Sequence, residues 1–282
     1  MKIGRTFFGL GRMLAAASLL IGPMVAQAAV TVALSASNLT PVAGGGAFSY
    51  TVTLANPDAG AATNVVMTLP LPPGIWFENL TVSGAQAGAF SCVGPGVDEN
   101  GSVVCRSASF VAGGAVTVDV VVTADPDLAG GIRTATARVV AGGNQNSANR
   151  QVTVQNNAGL SLALAATDSA APGARATLLV SMLSTGSSSA INGVFSMVLP
   201  AEVQFASLYG TRSFADVCSY NPDSREVRCN MPHMPSGLHS LTVNLDVPPN
   251  QPNGSAQFSA TLTAGVGSVN GSPAVAAIAI SP

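Results

Sequence analysis

One feature limits this chain more than any other: it repeats itself. Val52, Asn64, Val66, Leu71, Pro72, Phe77 and Leu80 recur as Val180, Asn192, Val194, Leu199, Pro200, Phe205 and Leu208, every pair 128 residues apart. Cysteines follow nearly in step, Cys92 answered by Cys218 and Cys105 by Cys229. Self-similarity at a fixed spacing is the signature of one structural unit used more than once. A unit of this size is also a normal domain length. The polar pair Asn156-Asn157, just after the strand-like Gln151–Val154, marks the boundary. The expected division is residues 29–156 and 157–282, preceded by a leader over 1–28.

Within each copy the hydrophobic period is two, as a half-buried strand requires. Phe48, Tyr50, Val52 and Leu54 alternate with Ser49, Thr51 and Thr53, and Val116, Val118, Val120 and Val122 alternate with Thr117, Asp119 and Thr123, broken only by Val121. In the second copy Leu241, Val243, Leu245 and Val247 alternate with Thr242, Asn244 and Asp246. Turn signals separate such runs, among them Gly44-Gly45-Gly46, Pro72-Pro73-Gly74 and Pro172-Gly173. Asn-Gly pairs beginning at 100, 192, 253 and 270 favour tight turns, because both residues tolerate positive φ. Past the leader, no stretch of ten residues keeps a 3.6 period. Short strands in this number predict an all-β fold of two tandem antiparallel β-sandwiches.

The first 28 residues have a different character. Lys2, Arg5 and Arg12 precede an apolar stretch from Met13 to Val25, which ends at Ala26-Gln27-Ala28. Basic, apolar and small-x-small segments in that order form a cleaved secretory signal peptide. Thirteen apolar residues interrupted by Gly22-Pro23 are too few for a span, which needs about 20. The mature chain is therefore expected to be exported, to periplasm, cell surface or medium, with no membrane span. It also lacks lysine, since Lys2 is the only one, and so lacks lysine nucleophiles and Schiff bases. A charged fraction of 9% with 48% hydrophobic residues excludes intrinsic disorder. A net charge of −2 gives no reason to expect nucleic acid.

Four cysteines in an exported chain read as disulfides. Three pairings are open, and the repeat favours the local one: Cys92 with Cys105 across Asp98–Gly101, and Cys218 with Cys229 across Asn221–Ser224. Each bridge then ties the arms of a hairpin. Neither pair has the Cys-x-x-Cys spacing of redox-active thiols.

Together these residues resemble the conserved repeat of bacterial and archaeal surface proteins, a domain of unknown function with an immunoglobulin-like fold. The match runs through Pro41-Val42-Ala43-Gly44-Gly45, Phe48–Asn56, Ala61–Val65, Leu71-Pro72-Pro73-Gly74-Ile75, the paired cysteines, Val111–Gly114 and Asn146–Asn149. The second copy keeps Pro172-Gly173, Leu199-Pro200, both cysteines and Ser236-Gly237, but has no asparagine after its second strand. The resemblance implies immunoglobulin-like sandwiches in an envelope or surface setting, and no catalytic residues.

A search for chemistry yields few candidates. His233 and His239 are the only histidines and are expected in loops; Cys229-x3-His233-x5-His239 resembles metal spacing, but Cys229 has a disulfide partner. No Gly-x-Ser-x-Gly elbow occurs. Ser184–Ser189 reads as a linker between strands. Asp125-Pro126-Asp127 is a candidate calcium edge, against the alternative of a solvated Asp-Pro turn. Trp76, the only tryptophan, is a candidate ligand contact: if Phe77 points into the core, Trp76 points outward. No catalytic residue, metal site or cofactor is implied. The expected role is a non-enzymatic structural or adhesive protein of the bacterial envelope. Its partner would be another envelope or surface protein, or a second copy meeting it through strand edges. The alternative is a secreted module binding polysaccharide or calcium. Ala274–Ile280 is expected to be an exposed last strand.

Overall fold

Alternating side chains become alternating burial. In the strand carrying Val116, Val118, Val120 and Val122 these valines are buried, while the residues between them are partly open to solvent. The computed structural model describes residues 29–210, 215–265 and 270–281, so the leader expected over 1–28 lies outside the described residues. Among the described residues, every regular element but two single-turn 3₁₀ segments is a strand. The N-terminal half holds β1 (Thr31–Ala36), β2 (Phe48–Ala55), β3 (Ala62–Pro70), β4 (Ile75–Ser83), β5 (Ser91–Val93), β6 (Ser102–Phe110), β7 (Ala115–Ala124), β8 (Gly131–Ala141) and β9 (Asn144–Val154). The C-terminal half holds β10 (Gly159–Ala166), β11 (Ser169–Ala170), β12 (Arg175–Thr185), β13 (Ala190–Val198), β14 (Gln204–Gly210), β15 (Cys218–Asn221), β16 (Glu226–Met234), β17 (Gly237–Asp246), β18 (Gly254–Thr263) and β19 (Ala274–Ile280).

These strands form four sheets, ordered β1-β2-β7-β4, β5-β6-β3-β8-β9, β10-β12-β17-β14 and β11-β19-β18-β13-β16-β15. Named A to G in the first half, β1, β2, β7 and β4 run A-B-E-D while β3, β8 and β9 run C-F-G. That is the constant-type immunoglobulin arrangement. The disulfide hairpin β5–β6 is inserted between D and E and extends the sheet beyond C. In the second half β10-β12-β17-β14 and β13-β18-β19 give the same two orders, with β16–β15 in the place of the extra hairpin. Pairing between long strands is antiparallel throughout; the two-residue β11 runs parallel to β19. Each half closes around its own core. One cluster runs from Val30 to Val154, with Tyr50, Met67, Leu69 and Phe110 at its centre, and the other from Ala158 to Ile280, with Leu178, Phe195, Met197 and Phe258.

Backbone irregularities recur at the repeat spacing. Asn64 and Asn192 both have positive φ, 52° and 53°, a conformation that asparagine adopts more readily than other side chains. Both sit inside a strand, so Asn192-Gly193 is not the tight turn that the dipeptide suggests. The left-handed residue instead interrupts the pairing of β13 with β16 between Ile191 and Gly193. Strand β4 has a bulge between Phe77 and Asn79, and β14 one between Phe205 and Ser207. The 3₁₀ turns fall at Ala87–Ala89 and Ala215–Val217. The Leu-Pro turn is pinned in both halves by a side chain from the disulfide hairpin. Asn100 Nδ2 donates to the carbonyls of Leu71, Pro72 and Ile75. The Arg225 guanidinium donates to those of Leu199, Pro200 and Val203.

Candidate functional site

Both disulfides close the cross-strand pairs expected from the sequence. Cys92 stands opposite Cys105 in the β5–β6 register and Cys218 opposite Cys229 in β15–β16. The bonds are Cys92–Cys105 and Cys218–Cys229, with Cα atoms 4.0 and 3.9 Å apart. No free cysteine remains among the described residues. Paired cysteines suit an exported protein in an oxidising compartment.

The Asp-Pro-Asp segment lies where the two halves meet. Asp125 Oδ1 accepts the Asp127 N–H at 2.8 Å, an Asx turn. Asp127 Oδ1 accepts the Ser189 hydroxyl from the other half and faces His233 Nδ1 at 4.0 Å. This places an aspartate, a serine and a histidine together, but in the wrong order for a nucleophile. Activation requires the hydroxyl proton to pass to the imidazole, whereas here it goes to the carboxylate. Ser189 is, besides, buried. His233 and His239 lie on strands β16 and β17 rather than in loops. Among the described residues, no group of three or more His, Cys, Asp or Glu side chains is placed to hold a metal ion.

The serine-rich connection proves to be more than a linker between β12 and β13. Ser188 Oγ donates to the Ala43 carbonyl at 2.8 Å, and the Ser189 N–H to the Pro126 carbonyl at 2.9 Å. Asn157 Oδ1 accepts the N–H groups of Ser187 and Ser188, and Asn156 Nδ2 donates to the Ser189 carbonyl. Two glycines permit the close approach. At Gly44 (φ +63°) a Cβ would lie 2.2 Å from the Ser187 oxygen, and at Gly186 (φ +92°) 2.4 Å from the Asn157 oxygen. The asparagine pair legible in sequence as a boundary is thus also a latch. Its partner serines gave no signal, because their composition is that of any polar loop.

Trp76 is half-buried on β4 while its neighbour Phe77 is buried, as adjacent strand residues should be. Its directly opposed residue on β7 is Thr123. An open groove of about 330 Å³ runs past it, lined by Gly44, Gly45, Trp76, Asp98, Thr123, Ala124, Pro126 and Ser187. Asp98 is brought there by two backbone bonds, Asp98 N–H to the Phe77 carbonyl at 2.8 Å and Phe77 N–H to the Glu99 carbonyl at 2.9 Å. Sequence alone gave no sign that the hairpin tip and Trp76 are neighbours.

The six-stranded sheet of the C-terminal half is largely open at its β19 side. Beyond β19 the one described strand that pairs with it is β11, at Ala279 and Ile280 alone. Ala279 donates its N–H outward, to the Asp168 carbonyl. By strand parity Val275 and Ala277 direct their backbone groups to the same side, where no described strand pairs with them. The expectation of an exposed last strand holds for this edge and for Val275, which is 73% exposed. It does not hold for alternate side chains: Ile278 and Ile280 are buried in the core. No described helix is long and apolar enough to cross a membrane.

No protein-family model matches the chain, and no curated protein does. The resemblance to the surface-protein repeat therefore stands on the residues that carry it. Among solved structures, the C-terminal domain of the Streptococcus pyogenes antigen I/II-family protein AspA is similar at 9% identity and a TM-score of 0.35, covering 91% of this chain and 100% of that one. The C-terminal domain of the Streptococcus agalactiae AgI/II polypeptide BspA gives 8% and 0.36, over 90% and 100%. A cohesin module from a Clostridium perfringens family 33 glycoside hydrolase gives 13% and 0.34, over 46% and 99%. At these scores the functional argument rests on the chain itself.

Proposed function

We propose that this is an exported, non-enzymatic protein of the bacterial cell envelope or surface, acting through protein–protein contact. It is read as two tandem copies of one immunoglobulin-like sandwich, residues 29–156 and 157–282, following a signal peptide over 1–28. Support for the tandem reading comes from the matched strand orders, left-handed asparagines, bulges and disulfide hairpins. The observation that carries the function is the open edge of β19 over residues 274–277. Unpaired strand edges accept an extended segment from another chain, with main-chain hydrogen bonds giving affinity. The partner is another envelope protein, or a second copy, offering such a segment.

Truncating residues 274–282 is a poor test, because it removes Ile278 and Ile280 from the core. Ala277→Pro is better: it deletes one outward N–H, and proline is tolerated on an edge strand. Since the mature chain has no lysine, a photo-cross-linkable phenylalanine analogue replacing Val275 reports the contact. The expected result is an envelope-associated adduct mapping to residue 275. It should be lost in Ala277→Pro while the melting temperature holds. An adduct unchanged by Ala277→Pro overturns the strand-edge reading. Recovery as free monomer in every cell fraction overturns the envelope reading.

A further inference from the structure

We infer that the groove beside Trp76 is a binding site for a neutral saccharide. The case rests on which hydrogen bonds the groove has left to offer. Its backbone donors are engaged internally: Gly44 N–H to the Ala124 carbonyl at 2.8 Å, Gly45 N–H to the Val42 carbonyl at 2.9 Å, and Asp98 N–H to the Phe77 carbonyl. Its hydroxyl protons are engaged as well, Thr123 Oγ1 donating to Glu78 Oε1 at 2.9 Å and Ser187 Oγ to the Ala43 carbonyl at 3.2 Å. What the groove has left unengaged are acceptors, namely the lone pairs of the half-buried Thr123 and Ser187 hydroxyls and the exposed Asp98 carboxylate, which forms no hydrogen bond or ion pair with the described residues. A ligand seated here must supply hydrogen-bond donors.

It must also avoid negative charge. No arginine lines the groove, and Asp98 does, with Glu78 and Glu99 as neighbours in the chain. Phosphate, sulfate and carboxylate ligands, rich in acceptors and negatively charged, meet only repulsion. The half-buried indole adds a flat apolar face with one N–H donor. Donors around a ring, an apolar C–H face and no negative charge together describe a sugar. The volume lies at the small end of ligand sites, room for one or two rings. The equivalent position in the second half is Gln204, so the site belongs to the first half and the junction alone.

Because the chain has a single tryptophan, its fluorescence reads the site directly. The mature protein is titrated with cellohexaose, maltohexaose and N-acetylchitohexaose, with polygalacturonate as the anionic counterpart. At least one neutral oligomer should shift Trp76 emission at millimolar concentration or below, and polygalacturonate should not. By calorimetry, Trp76→Ala should weaken that binding about tenfold or more, as loss of an aromatic contact worth ~1.4 kcal/mol would. Asp98→Asn, at an exposed hairpin tip, should weaken it without moving the melting temperature, and so covers the case in which Trp76→Ala does not fold. Silence from every neutral oligomer, equal binding of the polyanion, or binding unchanged in both variants overturns the assignment.

Discussion

At the scale of single residues, buried polar groups divide into those with partners and those without. Asn56, fully enclosed, donates through Nδ2 to the carbonyls of Gly60, Phe110 and Val111. Its counterpart 128 residues on is Ser184, whose buried hydroxyl has no partner among the described residues. That substitution is the missing second-copy asparagine visible in the sequence, and the structure gives its meaning: a pin present in one half and absent from the other. Tyr50 is a second orphan. Its ring is fully buried against Phe48, its hydroxyl is unpartnered, and burial pushes its pKa up to about 12 from the ordinary 10. A raised pKa favours the protonated folded state. Its protonation therefore costs the fold nothing further below pH 10, while above it the unfolded chain ionises first and stability falls as pH rises towards 12. Urea unfolding of the wild type should therefore lose about 1 kcal/mol between pH 8 and pH 11 beyond what Tyr50→Phe loses. At pH 8 the variant should be more stable by about 1 kcal/mol, having no orphan hydroxyl to bury. A variant as alkali-sensitive as the wild type would show that another group controls the loss.

At the scale of elements, the strands were readable because burial in a sandwich follows a local rule, every second residue, and the valines of β7 state it openly. Trp76 facing outward followed from the same rule. The histidines were misplaced because turn-like proline and serine around them concealed strands β16 and β17. Asn192-Gly193 misled because a left-handed asparagine serves a strand irregularity as well as a turn. Asn100 signalled only a turn and Arg225 nothing: two unlike side chains do one pinning job, and that job exists only after the hairpin has folded back over the Leu-Pro turn. The disulfide hairpins were legible from the cysteine spacing. Replacing Cys92 and Cys105 together by serine should cost about 3 kcal/mol, from a loop with sequence separation 13. The denaturation midpoint of the N-terminal half measures it. An unchanged midpoint would mean that the β5–β6 hairpin is held by Asn100 and its sheet neighbours alone.

For the whole molecule the junction decides whether the two halves behave as beads on a string or as one rod. Asn156 and Asn157 grip Ser187–Ser189, and those serines grip Ala43 and Asp127. Few of these contacts are visible from one-dimensional order, since their partners lie up to 145 residues apart. Combining Asn157→Ala with Ser188→Ala removes the central bonds while leaving both cores intact. Small-angle scattering should then show a larger radius of gyration, and a protease should nick the chain near residue 157, with the melting temperatures of the separate halves little changed. A scattering profile identical to wild type would assign the docking to the bonds of Ser187 with Ala43 and of Ser189 with Pro126 and Asp127, and to the close approach at Gly44, instead.

The disulfide hairpins lie outside the A-B-E-D and C-F-G frames, and this has a mechanical consequence. If the proposed envelope partner grips the β19 edge, a pull on it loads the backbone. When either sandwich yields, the segments Cys92–Cys105 and Cys218–Cys229 stay closed and hold back roughly 40 Å of contour each. Under such a load each half would act as a shock absorber with a built-in stop, which reduction of its disulfide would release.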